Sequence, residues 1–479
     1  MMILKNMNNN PYYLLPFYFK HLNDKEILVN EVGDYLVVPG GTAQRIVYKK
    51  IEKTEELFHD LLSNYFISLT PIPALIDIYA VRLRTKKSFL DHFTSLHIFV
   101  LTLRCNQNCV YCQASSRKDT EYETDMRESD LHKAIELMFK SPSPHLTMEF
   151  QGGEPTLVPH LIRYAVEYAE KINLTEKRKI TYVLCTNCIN LTDELLDICK
   201  QYNILISTSL DGHATLHNRN RGKQNSYEQV IVGIEKAREL LGREQLSALM
   251  TTSTEALNYP HEIVDTYLKH GFHSIFLRGL NPYGLAISNT NWDEYNVQFI
   301  EFYKQALEYI IELNRQGEFF VEEFTTFILR KILTPFPIGF VDLQSPAGII
   351  NSVIVYNYDG YVYASDESRM LAENHDYTFR LGHVSEKYED IFYGKKTQEI
   401  SKIWATESIA GCSDCAYHFY CGTDPVRNYS TQGDMYGHRP TSMFCRKHKA
   451  IIDHIFTLLT ERENEVLPVF KSWINNTCG

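Results

Sequence analysis

The sequence predicts an α/β fold built around a partial (β/α)6 barrel. Six short apolar runs alternate with amphipathic segments of helical spacing, which is typical of parallel strands joined by helical crossovers. Polar or glycine-rich motifs follow several of these runs, as expected where strand ends form a ligand site. The chain has 479 residues, 44% of them hydrophobic, so it can bury large cores and divide into two to four domains.

The predicted strands cover 96–103, 146–151, 180–185, 204–209, 246–252 and 274–278. Predicted helices between them include 129–139, 227–241 and 259–269. Because parallel strands point their carboxyl ends to one side of a barrel, we expect the motifs after these strands to meet there.

Three cysteines lie directly after the first predicted strand, at C-x3-C-x2-C spacing: Cys105, Cys109 and Cys112, with Tyr111 before the last. Three thiolates on one short loop suit a [4Fe-4S] cube, which takes four ligands, and one iron is then left for an external ligand. A zinc site would need a fourth Cys or His nearby, and His132 lies 20 residues further on in a predicted helix. The pattern therefore favours the cluster over zinc or simple burial.

With an aromatic residue before its third cysteine, this loop resembles the signature of the radical SAM superfamily, in which the open iron binds S-adenosylmethionine (SAM). The Gly-Gly-Glu-Pro segment after the second strand resembles the family segment that receives the SAM amino group. Asn187 lies in Thr-Asn-Cys, where relatives usually have Thr-Asn-Gly. The resemblance implies SAM-binding roles for Gly152, Gly153, Glu154, Asn187, Ser209 and Arg221.

Ser209 and Arg221 belong to a block that resembles one in which a Ser and an Arg hold the SAM carboxylate. The guanidinium of Arg221 offers a fork of donors that can meet a carboxylate at two points. In isolation, an Arg at such a position would be interpreted as a solvated surface residue.

The remaining cysteines fall into two sets, apart from Cys478, for which we predict no role. We expect Cys185, Cys188 and Cys199 to be small buried hydrophobic residues rather than cluster ligands. The second set supplies four thiolates, enough to complete a second cluster, or alternatively to hold zinc, and comprises Cys412, Cys415, Cys421 and Cys445.

This C-terminal stretch resembles a reduced SPASM domain, the auxiliary-cluster extension of peptide-modifying radical SAM enzymes. Pro425 stands where the family's cysteine run has a further Cys, and Ala364-Ser365 stands where Pro-Cys is common. The upstream region 353–367 has the pattern of the family's β-hairpin. The resemblance implies that ligands for one auxiliary cluster are missing, and we expect two [4Fe-4S] clusters in all, one SAM-binding and one auxiliary.

The N-terminal ninety residues predict a β-hairpin followed by helices over 41–48 and 55–63. That order resembles the winged-helix-like (PqqD-like) domain that captures a precursor peptide by pairing it with an exposed strand edge. We expect residues 26–38 to form such an edge strand. The alternative is a capping subdomain without a ligand.

Four predicted domains follow from these patterns. Residues 1–90 form the PqqD-like domain, residues 91–315 the radical SAM partial barrel, residues 316–345 a helical linker, and residues 346–479 the SPASM-like domain with a C-terminal helix.

Segments such as 100–107 and 415–426 resemble the HxsB maturases of the His-Xaa-Ser peptide systems. That resemblance implies reductive cleavage of SAM to a 5′-deoxyadenosyl radical and modification of a ribosomally made precursor peptide. It also implies a flavodoxin- or ferredoxin-type reductant and, in many systems, a second radical SAM maturase as a partner. Two alternatives remain: a sulfatase-type protein maturase and a catalytically degenerate peptide-binding scaffold. The sequence identifies no catalytic base.

The composition and charge of the chain limit the compartment in which we expect it and the partners that it can bind. Eleven cysteines at cluster spacings, without a secretion signal or an apolar run of 18 residues, favour a reducing cytoplasm and no membrane. A net charge of −11 argues against nonspecific nucleic-acid binding.

Overall fold

The helices and strands below come from a computed structural model that describes residues 12–71, 73–403 and 405–476. Cys478 and residues 1–11 of the predicted N-terminal domain lie outside the described residues. The N-terminal elements are, in chain order, β1 (Tyr13–Leu14), β2 (Phe17–Leu22), β3 (Lys25–Asn30), β4 (Tyr35–Pro39), α1 (Thr42–Val47), α2 (Glu56–Ser63), β5 (Ile67–Ser68) and α3 (Pro73–Lys86).

Strands β2, β3 and β4 form an antiparallel sheet with β3 in the centre. The expectation of a single edge strand over residues 26–38 is therefore wrong, because a tight turn divides the segment into β3 and β4. The side-chain oxygen of Asn30 accepts hydrogen bonds from the N–H groups of Val32 and Asp34, both at 3.0 Å. Gly33 closes the turn at φ +78, a conformation that favours glycine.

The central region alternates strands and helices as predicted. Its elements are β6 (Leu96–Thr102), β7 (Arg104–Cys105), β8 (Arg117–Lys118), α4 (Glu128–Phe139), β9 (His145–Gly152), α5 (Pro159–Glu176), β10 (Lys179–Thr186), α6 (Asp193–Gln201), β11 (Leu205–Ser209), α7 (Ala214–Arg221), α8 (Ser226–Leu241), β12 (Leu246–Leu249), α9 (Pro260–Lys269), β13 (Ser274–Ile275), α10 (Ala286–Asn289), α11 (Trp292–Arg315), β14 (Val321–Glu322) and α12 (Glu323–Leu333).

Five of the six predicted strands lie side by side and parallel in one sheet, in the order β12-β11-β10-β9-β6. Successive side chains of a strand point to opposite faces. In β9, Leu146, Met148 and Phe150 are buried in the core, whereas Glu149 and Gln151 alternate with them and line a cavity on the other face.

The sixth predicted strand, over 274–278, is shorter than expected. Only Ser274 and Ile275 form a strand, β13, and it pairs with β14 outside the main sheet. The N–H of Leu277 donates to the buried Glu322 carboxylate at 3.1 Å, so this backbone group does not pair with a neighbouring strand. Gly279 still makes an isolated bridge to Thr252, so the segment stays beside the end of β12.

The C-terminal elements are β15 (Val353–Tyr356), β16 (Tyr361–Tyr363), α13 (Asp366–Ala372), β17 (Arg380–His383), α14 (Tyr388–Phe392), α15 (Lys395–Ser401), α16 (Pro425–Gln432), α17 (Met443–Glu461) and α18 (Glu463–Asn476). Strand β15 pairs in parallel with β6, and β16 and β17 continue the sheet antiparallel. The predicted hairpin thus covers the β6 edge and joins the C-terminal region to the barrel in one eight-stranded sheet.

The N-terminal sheet packs directly against the C-terminal region. Lys20 on β2 forms an ion pair with Asp453 on α17 at 2.6 Å, and the Tyr420 hydroxyl donates to the Gly33 carbonyl at 3.0 Å. The rings of Tyr18 and His418 meet edge to face with their centroids 4.7 Å apart. The candidate peptide-recognition sheet therefore contacts the segment that contains Cys415 and Cys421.

Helix α8 approaches the end of β10 so closely that it requires a glycine. A Cβ atom on Gly233 would lie 1.9 Å from the carbonyl oxygen of Cys188. We expect Gly233→Ala to lower the free energy of unfolding by about 1–3 kcal/mol, although alanine is the better helix former, because backbone must move. The exposed neighbour Val232→Ala should change it by less than about 0.5 kcal/mol. Urea unfolding followed by circular dichroism would measure both, and equal values would contradict the close approach.

Candidate functional site

A cavity of about 530 Å³ opens at the carboxyl ends of the parallel strands. It contains every residue that the sequence analysis assigned to the first cluster and to SAM. These residues are Cys105, Cys109, Cys112, Gly152, Gly153, Glu154, Asn187, Ser209 and Arg221. The tertiary fold thus brings five separate segments of the chain to one wall, as the strand arrangement predicted.

The first cysteine loop is held by backbone contacts to α7 and to the segment before α10. The N–H of Val110 donates to the Asn220 carbonyl at 2.9 Å, and the N–H of Leu285 donates to the Cys112 carbonyl at 2.9 Å. A Cβ atom on Gly222 would lie 2.4 Å from the carbonyl oxygen of Asn108. The loop conformation is therefore fixed by main-chain packing, which leaves its three thiols free to face the cavity.

The thiols of this loop are half-buried and close to one another. Burial and the nearby Glu154 carboxylate raise the pKa of Cys105 to about 12. Burial raises the pKa of Cys109 to about 11, although the Arg221 guanidinium opposes that rise. Iron binds the thiolate forms, so assembly of a cluster on this loop must release protons.

The donor set fits a cube with an open iron. Three sulfur donors from one loop line a cavity that has room for a further ligand beside them, as a cluster with three protein ligands requires. Within the described residues, no group of three or more His, Cys, Asp or Glu side chains is arranged for a single metal ion.

The two glycines after β9 are needed for backbone packing. A Cβ atom on Gly152 would lie 2.0 Å from the Thr102 carbonyl oxygen, and one on Gly153 would lie 2.2 Å from the Arg104 carbonyl oxygen. The N–H of Gly153 also donates to Thr102 at 2.8 Å. These contacts clamp the end of β9 to the start of the cysteine loop, so the glycines set the position of that loop as well as lining the cavity.

Glu154 and Asn187 are linked to each other rather than free. The fully buried Glu154 carboxylate accepts the Thr186 hydroxyl at 2.6 Å and the Asn187 N–H at 2.8 Å. The Asn187 side-chain amide donates to the Asn106 side chain at 2.7 Å. Through these bonds, the ends of β9 and β10 hold the residue that follows Cys105.

Cys188, the residue after Asn187, departs from the family pattern. Cys188 stands where glycine is usual, and its backbone has φ +57 in the left-handed region. A non-glycine residue there costs roughly 1–2 kcal/mol. Burial of the Cys188 side chain, which is 0% exposed, offsets part of that strain.

Arg221 is not a solvated surface residue. Its Nε and Nη2 atoms donate to the two oxygens of Asp211, each at 2.9 Å, and Asp211 is fully buried. The same carboxylate accepts the Tyr111 hydroxyl at 2.6 Å. Burial alone would raise the pKa of Asp211, but the Arg221 guanidinium outweighs it and holds that pKa below its usual range. The Nη1 atom donates to the Cys109 sulfur at 3.8 Å, and Arg221 lines the cavity.

The four C-terminal cysteines also come together. Burial raises the pKa of Cys421 to about 12; Lys331 opposes this rise, whereas Cys415, Cys412 and Cys445 add to it, so the four thiols are neighbours. Cationic groups surround them: Arg439 lies 3.6 Å from the Cys412 sulfur, and Lys331 donates to the Cys421 carbonyl at 3.0 Å. Four adjacent thiols fit a cluster that needs no external ligand.

The cavity has an acidic wall that sequence reasoning missed. Burial, followed by the nearby Asp342, Asp366 and Asp424 carboxylates, raises the pKa of Glu367 to about 8. Burial and Asp342 likewise raise the pKa of Asp424 to about 6. Three distant segments supply these residues, so no local pattern could have revealed them. Asp211 was visible in its Leu-Asp-Gly motif, but its pairing with Arg221 was not.

The Asp211–Arg221 pair yields a stability prediction. Arg221→Ala should lower the free energy of unfolding by about 3–5 kcal/mol, because it leaves a buried carboxylate without its cation. Arg221→Lys should recover only part of this loss, since a single ammonium cannot make both bonds. The matched control is Arg219→Ala on the same helix, an exposed partner of Glu255 that should cost less than about 1 kcal/mol. Urea unfolding of the anaerobically purified protein would compare them, and a similar loss for both alanine variants would contradict the buried-pair reading.

The chain is similar to several known proteins. The sequence model of the radical SAM superfamily matches residues 99–266. A cysteine-type anaerobic sulfatase-maturating enzyme of Clostridium novyi is 21% identical over 367 residues, which span 74% of this chain and 93% of that protein. Native anSMEcpe with bound AdoMet and Cp18Cys peptide superposes with a TM-score of 0.60 at 20% identity, over 78% of this chain and 99% of that one.

Streptococcus suis SuiB bound to the precursor peptide SuiA superposes with a TM-score of 0.50 at 13% identity, over 91% of this chain and 100% of that one. Among the described residues, no helix combines the length and the apolar character that crossing a bilayer requires. The matched region contains the three-cysteine loop, the glycine pair and the Asp211–Arg221 pair described above. Residues 99–266 therefore form a radical SAM domain, whose family implies a [4Fe-4S] cluster and SAM, within a mixed α/β chain.

Proposed function

We propose that this chain is a radical SAM maturase that modifies a ribosomally made precursor peptide, of the His-Xaa-Ser type that the sequence resembles. The observation that carries the proposal is the contact between the N-terminal three-stranded sheet and the segment bearing the C-terminal cysteines. The N-terminal sheet has two outer edges and packs against the region that bears the four C-terminal cysteines. That region is joined to the barrel because its strand β15 pairs with β6.

Bound together, the first cluster and SAM supply a carbon-centred radical that removes hydrogen from an unactivated carbon. In our proposal, Cys105, Cys109 and Cys112 hold that cluster, while Cys412, Cys415, Cys421 and Cys445 hold an auxiliary one. Arg221 and Ser209 both line the cavity, and in our proposal they hold the SAM carboxylate. Asp211 orients Arg221 for this task through its two hydrogen bonds.

Glu154 and Asn187 have a positioning role in this proposal. Their side chains are occupied by hydrogen bonds to backbone and to Asn106, so they hold the strand ends and the cysteine loop in register. The backbone oxygens around Gly152 and Gly153 are then the groups of this segment available to a SAM amino group.

Sulfatase-type maturation is the second candidate, and the long match to the Clostridium novyi enzyme favours it. The coverage of the solved structures supports the peptide proposal instead: the SuiB likeness spans 91% of this chain and that of anSMEcpe 78%. Incubating the reconstituted enzyme separately with a His-Xaa-Ser repeat peptide and with a cysteine-containing sulfatase peptide would decide between them by product mass.

Iron content tests the two-cluster proposal. Anaerobic reconstitution should give about eight iron atoms per chain, because each cube holds four. Changing Cys105, Cys109 and Cys112 together to Ala should leave about four, and so should the same change of the four C-terminal cysteines. Changing Cys199, which lies on α6 outside the cavity, is the matched control and should leave iron content unaltered. Stoichiometric zinc at the C-terminal site, or about twelve iron atoms, would contradict the proposal.

Peptide capture by strand addition makes a sharp prediction about the N-terminal sheet. Because the Asn30 N–H donates to the Asp34 carbonyl, even-numbered residues of β3 bond to β4 and odd-numbered ones to β2. The N–H groups of Phe19 on β2 and Val37 on β4 therefore point away from β3. Proline at whichever edge receives the peptide should abolish leader binding without breaking the sheet.

Fluorescence anisotropy with a labelled leader peptide would measure binding to Phe19→Pro and Val37→Pro in the full chain. We expect the variant on the edge that receives the peptide to lose binding. The variant on the other edge should keep it and serves as the control. Leu36→Pro is a second control, since its N–H faces β3 and its loss should destabilise the sheet itself. Retained binding by both edge variants would show that this domain is a cap.

A further inference from the structure

Cys185 differs from the two other cysteines of its barrel unit. The sequence analysis placed Cys185, Cys188 and Cys199 together as small buried hydrophobic residues. Cys188 and Cys199 are buried in the core, 0% and 1% exposed, and neither lines the cavity. Cys185 is only partly buried, and it lines the same cavity as the first cysteine loop, Ser209 and Arg221.

The strand arrangement explains this position. Cys185 lies on β10 in register with Ser207 of β11, and both line the cavity. Its side chain lies near the Glu149 carboxylate of the neighbouring strand β9, since Glu149 is in register with Val183, two residues before Cys185 on the same face. The Gln151 side-chain amide donates to the same carboxylate, so the pair has a fixed geometry on the inner face of the barrel.

The surroundings keep this sulfur protonated. Burial, and then the adjacent Glu149 carboxylate, raise the pKa of the Cys185 thiol well above its ordinary value. Burial also raises the pKa of Glu149. The group that faces the cavity is therefore a neutral S–H group rather than a nucleophilic thiolate.

A neutral thiol gives up a hydrogen atom to a carbon radical far more readily than a hydroxyl or an amide does. With Cys105, Cys109 and Cys112 bound to a cluster, Cys185 is the cysteine among the described cavity-lining residues that still carries an S–H bond. We propose that Cys185 is a catalytic hydrogen-atom donor, which quenches the radical formed on the substrate and makes the modification redox-neutral at that carbon.

The step balances as follows. The S–H bond of Cys185 breaks and a C–H bond forms, which leaves a thiyl radical on sulfur. One electron from the low-potential one-electron donor that serves the iron–sulfur centres reduces the thiyl to a thiolate. A proton then restores the thiol, and Glu149, which lies near the sulfur, relays it.

This inference rests on the radical chemistry of the domain and is independent of which peptide the enzyme modifies. Its test accordingly needs no substrate. Reconstituted holoenzyme is incubated with SAM and a chemical reductant in D2O, where the Cys185 S–H exchanges to S–D. The 5′-deoxyadenosine released by uncoupled cleavage is then analysed by mass spectrometry for one added deuterium.

We expect the wild-type enzyme to release deuterium-labelled 5′-deoxyadenosine. Cys185→Ser keeps a side chain of similar size beside Glu149 but offers an O–D bond that is too strong, so the labelled fraction should fall toward that of 5′-deoxyadenosine formed by the wild-type enzyme in H2O. Cys199→Ser is the matched control and should retain full labelling. Undiminished labelling in Cys185→Ser would overturn the proposal, whereas failure to modify a peptide would affect only the proposed function.

A second readout does not depend on turnover. Because iodoacetamide reacts with the thiolate, the protonated Cys185 of the wild-type holoenzyme should be alkylated only slowly near neutral pH, although it lines the cavity, as time-resolved peptide mass mapping would show. Glu149→Gln removes the negative charge beside the sulfur, so it should lower the pKa of the Cys185 thiol and speed its alkylation. An unchanged alkylation rate in Glu149→Gln would refute the Cys185–Glu149 pairing.

Discussion

The buried ion pair between Asp211 and Arg221 is the interaction on which the candidate site depends. Asp211 follows β11, Arg221 ends α7, and the Asp211 carboxylate also accepts the hydroxyl of Tyr111 from the cysteine loop. Three separate segments are thus fixed by one carboxylate, in a place from which water is excluded. Because an unpaired charge there would be costly, the pair enforces a single arrangement of the loop, the strand end and the helix end.

Close main-chain contacts, which leave no room for side chains, hold the rest of the cavity wall. Gly152 and Gly153 leave no room for a side chain against β6 and the cysteine loop, and Gly233 leaves none against the end of β10. Glu154 then ties β9 to β10 through the Asn187 N–H. Such a framework positions reactive groups without needing a ligand to organise them, which suits a site that must confine a radical.

The sheet also joins the chain's regions. Strand β15 of the C-terminal region pairs with β6 of the barrel, so the two share eight strands and cannot be separated without exposing the β6 edge. The N-terminal sheet in turn contacts the segment with Cys415 and Cys421 through Lys20 and Gly33. A boundary drawn at residue 346 follows the sequence motifs but cuts through one hydrogen-bonded sheet.

Local patterns were enough to predict much of the fold and the site. Apolar runs predicted five of the parallel strands, because side-chain periodicity is a property of neighbouring residues. The spacing of Cys105, Cys109 and Cys112 predicted a shared loop for the same reason. The Gly152-Gly153 pair was correctly placed at the cavity, but its close backbone packing depends on a strand fifty residues away.

The features that could be predicted from the amino-acid sequence are therefore local: strand and helix periods, cysteine spacing and the motifs at strand ends. Which side chains meet depends on the packing of the whole chain. It made β3 a central strand, paired Arg221 with Asp211, gathered Asp342, Glu367 and Asp424 on one wall, and turned Cys185 toward Glu149 and away from its two neighbouring cysteines. Those contacts join residues far apart in the chain, and their energies depend on burial, which no local pattern contains.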